Sequence, residues 1–124
     1  GTQGERQAAK AALERIRSRL KTTQEAEPSV EMRISLGDPW SRQLFIALCR
    51  RYGIKPYRYR RQRRTTVMLR APRSFADETL LPEFNELNEA LVGYLSEVTS
   101  RIIREEIHQE TGDAEERDEP RQIE

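Results

Sequence analysis

The densest group of chemistry-bearing side chains is the run Lys55-Pro56-Tyr57-Arg58-Tyr59-Arg60-Arg61-Gln62-Arg63-Arg64. Guanidinium groups grip oxyanions bidentately, stack on flat rings and keep their charge, so such a run suits a phosphate backbone. Tyr57 and Tyr59 would add stacking faces for unpaired bases. In an extended segment the two tyrosines point away from Arg58, so one flat surface cannot use both sets. The competing reading puts the tyrosines in the core and leaves the arginines solvated or paired with acidic groups. Residues 41–73 carry eleven Lys/Arg and no Asp or Glu, whereas residues 74–124 carry fifteen Asp/Glu and four Arg. A net charge of +1 therefore hides two opposed blocks. That pattern points to a polyanion partner, a self-neutralising fold, or both. Arg70 and Arg73 extend the basic run downstream. Arg50 and Arg51 end a helix, where they complement its dipole and lead toward Lys55.

Catalytic chemistry finds little support. His108 is the only histidine and stands among Glu105, Glu106 and Glu110, a poor ligand set without a second cluster. Cys49 falls on an apolar helix face, and Asp77 and Glu78 are explained as well by a loop beside a cap. There is no glycine-rich phosphate loop, nucleophile elbow or paired-cysteine motif. The expectation is a protein that is not an enzyme, with no metal, no cofactor and no small-molecule substrate. One cysteine excludes an internal disulfide and fits a reducing compartment. No stretch reaches the roughly 18 apolar residues of a membrane span, and no signal peptide opens the chain. A cytoplasmic protein is expected by default.

The elements that must position these groups can be read from periodicity. Ala9, Leu13, Ile16 and Leu20 make a narrow apolar stripe, which predicts a helix over 4–21. Residues 22–29, with Pro28, read as a linker. Val30, Met32, Ile34 and Leu36 alternate with Glu31, Arg33 and Ser35, the pattern of a strand with one wet face. Asp38-Pro39 supplies a cap and a first-turn proline for a helix to about Tyr52, with Trp40, Leu44, Phe45, Leu48, Cys49 and Tyr52 on its apolar face and Gly53 after it. Residues 54–60 and 65–71 read as two hairpin strands joined by an open, mobile arginine loop, with Pro56 restricting the first strand to an edge or its start. Residues 72–78 read as a connector. Thr79 and Pro82 then open a helix to about Gln109, roughly 45 Å long if continuous. Such a length exceeds what a small core covers, so its stripe at Leu91, Val98, Ile102 and Ile107 is expected to meet solvent or a second chain.

The expected fold is therefore α+β, in the order α-β-α-β-β-α, with a small antiparallel or mixed three-stranded sheet, helices on one face and a long C-terminal helix. From Val30 onward the order matches the ferredoxin-like arrangement without its last strand, a likeness of element order alone. Three regions follow: an N-terminal helix and linker (1–29), a compact domain (30–110) and a disordered acidic tail (111–124). The expected function is nucleic-acid binding, RNA or single-stranded DNA ahead of duplex DNA, through Lys55, Tyr57, Arg58, Tyr59, Arg60, Arg61, Arg63, Arg64, Arg70 and Arg73. The alternative is a protein–protein interaction or homodimer module built on the long-helix stripe.

Overall fold

A computed structural model describes residues 2–121, so Gly1 and residues 122–124 of the expected tail lie outside the described residues. The chain divides after Leu91 into two compact units.

The first unit begins with α1 (Gln3–Ala26), capped by a reciprocal Thr2–Glu5 box. This helix continues through most of the expected linker, because nothing in Thr22-Thr23-Gln24-Glu25-Ala26 forbids helical backbone; it stops just before Pro28. Leu20 is buried and Leu13 and Ile16 pack beside it, while Ala9 is exposed. At the end of the helix Glu27 accepts hydrogen bonds from the Ser74 backbone N–H (3.2 Å) and hydroxyl. These bonds hold the Glu27 carboxyl below the usual carboxylate range.

Strand β1 (Ser29–Ser35) pairs antiparallel with β2 (Thr66–Pro72), Met32 opposite Leu69 and Glu31 opposite Arg70. Val30, Met32 and Ile34 share the inner face with Val67, Leu69 and Ala71, and the core lies against that face. Between the strands, α2 (Pro39–Arg51) is capped by Asp38, whose carboxylate accepts the Ser41 N–H at 2.7 Å. Phe45, Leu48 and Cys49 are buried, but Trp40 is 54% exposed, so the expected apolar face starts one turn later. Gly53 turns the chain at φ +78°, a left-handed conformation that costs a side-chain-bearing residue about 1 kcal/mol.

The sheet has two strands rather than three. Residues 54–60 make no strand. Gly53 and Ile54 still donate to Arg50 and Cys49 carbonyls at the end of α2, and Pro56 has no N–H to give. Only Tyr57 pairs, exchanging bonds of 2.9 and 2.8 Å with Met68.

The expected connector after β2 is helical. One turn, α3 (Arg73–Phe75), leads into a π turn (Ala76–Leu80) and then α4 (Leu81–Ile102). In a regular helix the Pro82 ring would strike the Glu78 carbonyl. The widened turn, in which the Leu81 N–H reaches back to the Ala76 carbonyl, accommodates it. Phe84 packs edge-on against Phe45 with ring centres 5.1 Å apart, Tyr52 likewise against Phe75 at 5.8 Å, and the Ser41 hydroxyl donates to Asn88.

In the second unit Leu95, Val98 and Ile103 are half-buried, whereas Val92, Tyr94, Ile102 and Ile107 are exposed. Arg101 pairs with Glu97 at 3.8 Å, the expected i,i+4 spacing. A second π turn (Ile103–Ile107) ends at His108 in the left-handed conformation, φ +58°. Residues 109–121 form no helix or strand. Among the described residues no helix is long and apolar enough to cross a membrane.

Candidate nucleic-acid interface

The arginine run folds as a bonded turn, not an open loop, and Gln62 organises it. Its amide oxygen accepts the Tyr59 N–H at 2.9 Å, its amide nitrogen approaches the Met68 sulfur at 3.5 Å, and its backbone carbonyl accepts from the Arg58 guanidinium at 3.0 Å. Arg61 takes a left-handed φ of +75°, and the Thr66 N–H closes on the Arg63 carbonyl at 3.0 Å. Met68 is buried even though it lies on the outer face of the sheet, so the turn is anchored there.

Both tyrosine hydroxyls donate to one Glu31 carboxylate oxygen, and the rings meet edge-on at 5.5 Å. The Tyr57 and Tyr59 hydroxyls, in that order, hold the Glu31 carboxyl below its usual range, with the Arg70 charge a lesser cause. The Glu31 hydrogen bond raises the Tyr57 phenol in turn, and pushes Tyr59 to about 12. The tyrosines therefore belong neither to the core nor to a fully open platform. Their hydroxyls are committed, yet Tyr59 remains 51% exposed and keeps ring surface for stacking.

Among the described residues, three clefts adjoin the turn. The first, about 170 Å³, lies between α2 and the turn and is lined by Arg42, Arg50 and Arg58 with apolar walls from Ile46, Pro56 and Val67. The second, about 430 Å³, is on the outer sheet face and is lined by Arg33, Arg61 and Arg63 among Ser, Thr and Gln side chains. Neither contains an acidic residue. A third, about 290 Å³, shares Arg42 with the first and Thr65 with the second, and adds Arg64. Its one acid, Asp38, is engaged as the cap of α2. The only ion pairs among the described residues are Glu97–Arg101 and Glu115–Arg117, so none of the eleven cations of residues 41–73 is paired with a carboxylate within 4.0 Å.

Of the residues singled out from sequence, Arg58, Arg61, Arg63, Arg64 and Tyr57 line these clefts, and Tyr59 stands beside them. Lys55 and Arg60 are exposed but line none of the three. Arg70 faces Glu31 across the sheet. Arg73 follows the far end of β2, about 20 Å along the strand from the turn. Arg33 and Arg42 are additions, and Arg50, in the last turn of α2 as expected, also lines a cleft. The signal for them was Arg42-Ile46-Arg50 at four-residue steps, and Arg33 on the wet face of β1. At the C-terminus of α2 the Arg51 carbonyl also accepts twice from the Arg17 guanidinium, at 2.9 and 2.6 Å. In the alternative stripe, Leu91 and Val98 are half-buried while Ile102 and Ile107 are exposed. Cys49 is buried, which pushes its thiol to about 12. No family model, curated protein or solved structure matches this chain.

Proposed function

We propose that the first unit is a nucleic-acid-binding module that takes single-stranded RNA or DNA along the neighbouring arginine-lined clefts around the turn. One observation carries this reading: eleven cations of a continuous segment include no acid and form no ion pair among the described residues. A self-neutralising fold would have set them against carboxylates, whereas unpaired arginines facing solvent-filled clefts suit phosphates. Single strands fit better than duplex because the half-exposed Tyr59 ring offers a stacking face for an unpaired base. Anisotropy titrations of labelled single- and double-stranded RNA and DNA across a salt series test the reading. Affinity should fall steeply with salt. Replacing Arg60, Arg61, Arg63 and Arg64 with Ala should weaken binding and flatten the salt slope by up to about 3 in log–log terms, about 0.7 for each phosphate that is no longer neutralised. Unchanged binding by that variant would remove the proposal.

A second reading is favoured by the exposed Ile102, which shares a helix face with the half-buried Leu91, Leu95 and Val98, a face that would pair two copies of the chain. Leu91, Leu95, Val98 and Ile102 are spaced by four, three and four residues, the step of a coiled-coil seam. Ile102→Lys should then lower the mass seen by light scattering while leaving the far-ultraviolet dichroism intact. A monomer at high concentration in the unaltered chain would rule this reading out.

A further inference from the structure

The cleft between α2 and the turn differs from the rest of the basic surface. It gathers three arginines, Arg42, Arg50 and Arg58, around about 170 Å³, well below the roughly 300–1,000 Å³ of sites that enclose a drug-sized molecule. The Nε of Arg42, a side chain that lines this cleft and the third, is buried and has no hydrogen-bond partner among the described residues. An orphaned donor of this kind is rare in folded proteins and calls for an acceptor. Arg58 is pre-positioned by its bond to the Gln62 carbonyl, so holding an anion there demands little further ordering. Ile46, Pro56 and Val67 thin the water around the guanidinium groups and strengthen their pull on an anion.

We propose that this cleft is a terminal-phosphate pocket, which receives the phosphomonoester at the end of a nucleic-acid strand. The inference rests on the nucleic-acid reading above and assigns the end of the strand to one place. The volume accommodates a tetrahedral oxyanion. Three cations match a phosphomonoester, which carries about −1.5 to −2 at neutral pH, better than an internal diester with a single charge. A monoester also has one covalent tether to lead out of the cleft, where a diester has two.

The test compares one single-stranded oligonucleotide in three forms, with a 5′-phosphate, a 3′-phosphate or hydroxyls at both ends, at fixed moderate salt. One phosphorylated form should bind about tenfold tighter than the hydroxyl form, the lower range of one charge-assisted hydrogen bond. That preference should fade as pH falls through about 6, where the monoester dianion takes up a proton and drops to a single negative charge. Arg42→Gln should abolish the preference, so that all three forms bind this variant equally, whereas the four-arginine turn variant should weaken all three forms and keep the preference. Arg50→Gln, on an exposed side chain, repeats the test should Arg42→Gln unfold. Equal affinity for all three forms would overturn the pocket and leave the nucleic-acid reading standing. No binding of any form at low salt would overturn both; a phosphoserine peptide bound through Arg42 would then reassign the cleft to a phosphoprotein.

Discussion

Glu31 shows how one carboxylate can shape a basic surface without neutralising it. It accepts both tyrosine hydroxyls, and those neutral donors, more than the Arg70 charge, depress its pKa. A lowered carboxyl stabilises the fold above its unfolded pKa, about 4.3, and that contribution disappears as pH falls through the folded value. A raised phenol contributes below its unfolded pKa, about 10, and stops contributing as pH rises through the folded value, for Tyr59 about 12. The cluster thus supports the turn between about pH 5 and pH 10. Glu31→Gln should bring the Tyr59 titration down toward 10, read by tyrosinate absorbance. The stability difference between this variant and the unaltered chain should shrink in acid. A Tyr59 titration that stays near 12 in the variant would show that something other than Glu31 raises it.

At the scale of elements, β1 and α2 were legible because their signals are local. Strict alternation marks the wet and dry faces of β1, and Asp38-Pro39 marks the start of α2. The third strand is absent because, although the apolar residues of 54–60 suggest pairing, Pro56 and the lingering end of α2 leave one residue free to pair. The helical stretch over 73–80 was hidden by Pro82, whose cost a π turn absorbs, and a π turn has no residue signature of its own. In the site, the turn arginines were visible as a run, but Arg42 and Arg50 join Arg58 only through tertiary packing. Phe45, fully buried and packed on Phe84, should be the most damaging side chain to truncate. Phe45→Ala should destabilise the first unit by about 3–5 kcal/mol in urea denaturation. Gly53→Ala should cost about 1 kcal/mol, and a much smaller effect would mean the turn after α2 can relax.

Over the whole molecule, a net charge of +1 says little about polyanion affinity, because cations and acids occupy different segments. Removing residues 110–124 takes away seven acidic residues and two arginines and turns +1 into +6. The residues that line the clefts all belong to the first unit, so the salt slope of binding should stay the same while affinity at low salt rises through the longer-range field. A changed slope would mean that residues 110–124 alter how many phosphates the protein neutralises. Cys49 has a separate practical consequence. The chain carries a single thiol, sealed inside the first unit and protonated at any ordinary pH. An alkylating reagent can reach it only in molecules whose interior has opened. The rate of labelling is therefore a clock for that opening, and its slowing on adding an oligonucleotide would report binding to the closed form without any dye on either partner.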